Sequence, residues 1–183
     1  TTPTRIDNLN SIHSRTVLFD VNKDSQCQIR QFLQGGPPRM RTDNLLNDET
    51  EKVLPKEVLA KIGMTLDQIG QLLTTFGVKA DVHHTADTSV DEFRKLATEA
   101  LGTPNRYVIV NYLRRAIGQE RGGHISPLAA YDADTDRFLV LDVSRYKYPP
   151  VWVEADDLYA AMNTPDSDNQ NRTRGFVLVA AKD

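Results

Sequence analysis

The chain has 183 residues, 39% of them hydrophobic and 26% charged, with a formal net charge of −3. These values suit one globular domain with a substantial core and supply no basic surface for nucleic acid or an anionic membrane. No apolar run approaches the ~20 residues that span a bilayer, no signal-peptide pattern is present, and the cytoplasm is the expected compartment.

Residues 1–42 are polar and aperiodic. TVLFDV (Thr16 to Val21) reads as a short strand and IRQFL (Ile29 to Leu33) as a helical turn, while Gly35, Gly36, Pro37 and Pro38 forbid regular structure. The single cysteine, Cys27, excludes an internal disulfide framework and a multi-thiolate zinc site. It is a candidate nucleophile, or a core or exposed thiol.

From Asp43 the register changes. Asn44 to Leu46 lead into a charged patch. Pro55 then opens a short helix, KEVLAKI, stopped by Gly63. Thr65 caps LDQIGQLLTTF, whose Leu66, Ile69, Leu72, Leu73 and Phe76 give one apolar face. VKADVHH (Val78 to His84) alternates as a strand. Ser89 caps VDEFRKLATEAL, and RYVIVNYL (Arg106 to Leu113) is a dense β run expected in the centre of a sheet. RRAIGQERGG is a polar loop whose closing glycines permit close approach of backbone to a substrate.

The stretch from Gly122 to Pro150 is the organising element of the chain. SPLAAY (Ser126 to Tyr131) and RFLVLDV (Arg137 to Val143) flank DADTD, a hairpin pattern with a longer loop. Folding the chain near Ala133 or Asp134 brings His124 opposite Asp142 or its neighbour. A carboxylate beside a histidine is two thirds of a nucleophilic triad; the plainer alternative is two strand residues sharing a hydrogen bond. VWVEADDLYAAMNT holds a helix of about eight residues, with Trp152, Leu158, Tyr159 and Met162 as expected core. TPDSDNQNRTR is a solvated loop and GFVLVAA a last strand. Helices first and strands later predict an α+β fold.

Other polar groups have plain explanations. His83 and His84, with Asp81 and Asp87, suggest a metal, but adjacent strand residues point to opposite faces, so surface histidines are expected. Asp132, Asp134 and Asp136 lack calcium-loop spacing and fit turn chemistry. Glu154, Asp156 and Asp157 suit a helix start.

The segments GGHISPLAAYD, FLVLDVSRYKYPPVWV, LYAAMNT and TRGFVLV, extended upstream by GMTLDQIGQLLTTFGVK and VIVNYLRR, resemble the phytochelatin synthase family of glutathione γ-glutamylcysteinyltransferases. The resemblance runs from residue 43 to 183, leaves 1–42 as an atypical segment, and is nearest to the short bacterial members. It implies a papain-like cysteine peptidase fold, with an N-terminal helical part followed by an antiparallel sheet half. It implies that a cysteine thiolate cleaves glycine from glutathione, and that γ-Glu-Cys, held as a thioester, passes to a second glutathione or to water. His124 matches the family's catalytic histidine and Asp142 its aspartate. Arg145, Tyr148 and Arg114 match substrate-holding or activity-linked residues, and Gly123 matches backbone beside the acyl group. Without the family context the arginines read as solvated charge and Tyr148 as packing. The resemblance further implies no tightly bound cofactor, cadmium or zinc as activators or as metal–glutathione thiolates, and a homodimer.

The family's cysteine lies in a Tyr-Cys-Gly-x-Ala-Ser motif, which this sequence lacks; family spacing would place it near Ser11 to His13. Three readings stay open. Cys27 is the nucleophile in a rearranged N-terminus, aided by a helix start at IRQFL. The chain is a relative that binds thiol peptides without catalysis. Or residues before Thr42 are a misread or frame-shifted N-terminus. An unrelated cysteine peptidase is the third functional class.

Overall fold

The computed structural model describes residues 46–120, 122–143 and 147–181 in full, and the backbone of 17–21 and 27–31. Strands β1 (Val17–Val21) and β2 (Cys27–Gln31) pair antiparallel, with Val21 opposite Cys27. The expected helical turn at IRQFL is therefore corrected: Ile29 to Gln31 are strand. A lone helical turn fixes several dihedrals for one hydrogen bond, whereas a ladder with β1 occupies the backbone of five residues.

Three short helices come next. Helix α1 (Asp48–Val53) starts at Asn47, whose side chain accepts from the Glu49 and Thr50 amides at 2.9 and 3.2 Å. This helix stands where the sequence suggests only a charged patch; its signal is an asparagine cap followed by acids in the first turn. Helix α2 (Lys56–Ile62) opens after Pro55 and ends at Gly63, where φ is +80°. Helix α3 (Leu66–Thr75) carries the capping box of Thr65 and Gln68 and buries Leu66, Ile69, Leu72 and Leu73.

The remaining strands form one six-stranded sheet. They are β3 (Lys79–His84), β4 (Arg106–Leu113), β5 (Gly123–Asp132), β6 (Arg137–Val140), β7 (Val151–Glu154) and β8 (Gly175–Ala180). The spatial order is β3-β8-β4-β5-β6-β7, and every neighbouring pair is antiparallel. Helix α4 (Val90–Leu101) starts at the Ser89 cap, and α5 (Ala155–Met162) has Asp156 and Asp157 in its first turn. The α+β class holds. Helices are not confined to the N-terminal part, however, because α4 and α5 fall between strands.

Two cores cover the two sheet faces. Ile109, Val177 and Val179 pack with α2 and α3 residues, whereas Val108, Val110, Tyr112 and Phe176 pack with α4 and α5 residues. Strand β4 is thus central and buried on both faces, which explains its unbroken apolar run. Trp152, expected in the core, is instead 47% exposed, because it projects outward from edge strand β7, an element with no clear sequence signal. The solvated loop also needs correction: Asp166 and Arg174 at its ends are buried. No helix among the described residues is long and apolar enough to cross a membrane.

Candidate active site

The hairpin of β5 and β6 builds the site, by a route that differs from simple folding about its loop. Asp132 pairs with Arg137, Tyr131 with Phe138 and Ala130 with Leu139, but Leu128 pairs with Val140. Ala129 is therefore an extra residue in β5. Beyond it, the Leu141 amide donates to the Pro127 carbonyl at 3.0 Å, so Asp142 comes level with Ser126, diagonal to His124. Without the bulge Asp142 would fall level with Pro127, on the opposite face, because a one-residue slip inverts every side chain. Diagonal neighbours lie within reach of long side chains. His124 Nε2 stands 3.0 Å from Asp142 Oδ1, with the aspartate side chain fully buried and the histidine side chain 10% exposed.

Strand β4 ends in a short 3-10 turn, Arg114–Ile117, closed by Gly118 at a φ of +77°. That turn carries Arg114 inward. Its Nη1 is 2.7 Å from Asp142 Oδ2, and its Nη2 donates to Asp142 Oδ1 at 3.0 Å. Nη1 also donates to Gln119 Oε1 at 3.0 Å, and Nη2 lies 2.7 Å from His124 Nε2. Arg114 is not solvated charge. The guanidinium sits 4.8 Å from the centre of the Tyr148 ring, and the Tyr148 hydroxyl accepts from the Glu120 amide at 2.8 Å. Tyr148 thus packs on Arg114.

Tyr112, directly opposite His124 in the ladder, meets the imidazole edge-on at 5.9 Å. Burial pushes the Tyr112 hydroxyl up to about 12. Burial also pushes His124 below its ordinary value; the Asp142 bond opposes that shift, and the charges of Arg114 and Lys147 reinforce it. Burial therefore favours the neutral imidazole, with Nε2 turned to Asp142.

A cavity of about 330 Å³ opens beside this group, lined by His124, Gly123 and Asn111 of the sheet, Met64 before α3, and Asp166 and Arg174. Arg174 Nη1 donates to Thr164 Oγ1 at 3.1 Å and to the Pro165 carbonyl, and Nη2 donates to Asp166 Oδ1 at 3.4 Å. Its Nε has no hydrogen-bond partner among the described residues. A Cβ at Gly123 would stand 3.1 and 3.2 Å from Arg174 Nη2 and Nε, so that glycine makes room for the guanidinium. Asp166 and Arg174 are the site residues that sequence reasoning missed. Their only signal was an arginine placed immediately before an apolar strand.

Other expectations divide. Arg145 lies outside the described residues, as does the Cys27 side chain. The Cys27 backbone opens a strand, so the helix-start argument for its activation does not apply. His84 is not a surface histidine: it is 4% exposed, with Nδ1 2.5 Å from the Thr173 carbonyl and Nε2 3.2 Å from Asp67 Oδ1. His83 is half-buried, stacks on Phe176 at 4.7 Å, and lies 3.2 Å from Asp81. Among the described residues no group of three or more His, Cys, Asp or Glu could hold a metal ion. Asp132 accepts from the Asp134 amide and the Thr135 hydroxyl, as turn chemistry requires, while Asp136 receives Arg94 at 2.9 Å through two nitrogens.

The family model described as Phytochelatin synthase matches residues 29–176, which include the His124–Asp142–Arg114 group and every named cavity residue. The chain belongs to the phytochelatin synthase family. Glutathione gamma-glutamylcysteinyltransferase 1 of Arabidopsis thaliana is 35% identical over 126 residues, which cover 69% of this phytochelatin synthase family member and 26% of the relative. Glutathione gamma-glutamylcysteinyltransferase 2 of the same plant is 33% identical over 145 residues, 79% and 31% of the two chains. Glutathione gamma-glutamylcysteinyltransferase of Schizosaccharomyces pombe is 31% identical over 121 residues, 66% and 29%. The chain therefore spans between a quarter and a third of the length of these curated relatives.

Proposed function

We propose that the chain is a cysteine-dependent glutathione γ-glutamylcysteinyltransferase. The observation that carries this reading is the buried His124–Asp142 pair facing a cavity that ends in a paired Arg174 and Asp166. A γ-glutamyl residue ends in an α-carboxylate and an α-ammonium. An arginine fork and a neighbouring carboxylate match those two charges.

His124 Nδ1 takes the thiol proton, and the thiolate attacks the carbonyl carbon of the Cys–Gly bond. The tetrahedral intermediate collapses, the C–N bond breaks, and glycine leaves with the proton from the imidazolium. The amine of a second glutathione or water then attacks the γ-Glu-Cys thioester while His124 accepts its proton; the C–S bond breaks, and the cysteine thiolate leaves and is reprotonated by the imidazolium. Asp142 orients the imidazole and balances its charge. Cys27 is the only thiol in the sequence and the nucleophile we assign. The fold is read as papain-like, the assembly as a homodimer, and cadmium or zinc as a thiolate complex of the substrate.

Glycine release from glutathione is the deciding measurement. Release that disappears in Cys27→Ser supports the assignment, and unchanged release in that variant eliminates Cys27. Glutathione binding without glycine release would overturn the enzyme reading in favour of a thiol-peptide binder, the alternative that the missing Tyr-Cys-Gly motif raises.

A further inference from the structure

A second histidine–carboxylate pair lies behind the cavity, on elements the reaction does not use. His84 ends β3, and Asp67 is in the first turn of α3. Both ring nitrogens of His84 face acceptors: Nδ1 the Thr173 carbonyl at 2.5 Å, and Nε2 the Asp67 carboxylate at 3.2 Å. The ring thus ties the Asp67 carboxylate of α3 to the backbone of the loop at Thr173. At 4% exposure, water has little access to either contact.

These contacts converge on the loop that carries the cavity's charged groups. The other oxygen of Asp67 accepts from Asn169 Nδ2 at 2.7 Å and from Arg172 Nη1 at 3.0 Å. Thr173, held by His84, immediately precedes Arg174, and the Arg174 carbonyl accepts from the Thr85 amide at 3.1 Å. Partial burial works against the Asp67 carboxylate, but its bonds to Asn169, His84 and Arg172 hold it below the ordinary aspartate value. The charged groups facing His84 are Asp67 from α3 and, through that carboxylate, Arg172 from the loop. β8 contributes only Gly175, opposite His84 in register, while Asp81 and His83 alternate with it along β3.

We propose that His84 and Asp67 form a positioning pair that sets Arg174 in the cavity. The pair clamps the Asp166–Arg174 loop to α3 without touching the His124 group. It therefore governs how tightly the γ-glutamyl end is held, and leaves the proton-transfer step to other elements. This inference rests on the reading of Arg174 as the carboxylate site.

The test is nitrogen NMR of the whole chain together with glutathione kinetics of Asp67→Asn. Asp67→Asn should weaken the contact with His84 and shift the Arg174 Nε–H resonance. KM for glutathione should rise about tenfold with kcat nearly unchanged, the signature of lost substrate binding rather than lost chemistry. Asp67→Glu should recover part of the loss. An unmoved Arg174 signal, or a fall in kcat at constant KM, would overturn the proposal. A chain without glutathione turnover would instead sink the functional reading, and the NMR result would still decide the clamp. His84→Gln, which retains one hydrogen-bonding donor, should reproduce the Arg174 shift.

Discussion

Asp142 holds a buried carboxylate between a guanidinium and an imidazole, and that arrangement decides what His124 is at neutral pH. Two Arg114 nitrogens lie within bonding distance of the carboxylate, which already balances its charge. His124 therefore has little call to be cationic, and burial keeps it below the ordinary histidine value of 6.5. The acidic limb of kcat/KM should lie below that value. In Asp142→Asn the imidazole loses its orienting carboxylate, so kcat should fall by on the order of 10² or more. Replacing Arg114 by Ala acts in the opposite sense on protonation, moving the limb to higher pH by removing a nearby positive charge. The same change strands Asp142 in the interior and should cost ~3–5 kcal/mol in urea unfolding. Acid stability obeys the same linkage. Between the depressed folded value and 6.5 the unfolded chain binds more protons at His124, so stability rises with pH across that window. Urea midpoints should accordingly drop as pH falls below 6.5, and a flat profile would contradict the burial argument.

At the scale of elements, caps and periodicity carry most of what the sequence discloses. The helices after Pro55, Thr65 and Ser89 start and stop where their local signals place them, because capping and amphipathic burial act within a few residues. Helix α1 and strand β7 escape such a reading: one is six residues long and the other four, too short for a period to emerge. The hairpin was legible but its bulge was not, since Ala129 differs from its neighbours only in its pairing. Gly175 shows how tightly these elements meet. A Cβ there would come 2.0 Å from the His83 carbonyl oxygen, a backbone atom of the adjoining strand. Gly175→Ala must push β3 and β8 apart and should destabilise the chain by ~2 kcal/mol or more, measured as a lowered thermal midpoint. An unshifted midpoint would mean that the strands are free to separate.

Across the whole molecule, the cavity forms where four separate regions meet: the α2–α3 segment, β4 at Asn111, the start of β5, and the loop from Thr164 to Arg174. Gly123 is the hinge point of that meeting, because its missing side chain admits the Arg174 guanidinium. Gly123→Ala should weaken glutathione binding several-fold while changing stability by less than ~1 kcal/mol, since the neighbour that must give is a side chain; calorimetric titration with glutathione measures it. The sequence by itself determined the α+β class, the helices after Pro55, Thr65 and Ser89, the central strand β4 and the hairpin that carries His124 and Asp142, all signals that act within a turn or a hairpin. The tertiary structure alone decided that Arg114 is buried on Asp142, that Arg174 and Asp166 line the cavity, and that His84 is enclosed. Asp67 and Arg172 are 105 residues apart in sequence. Their meeting, like the others, depends on sheet order and layer packing, which no local pattern of residue types encodes.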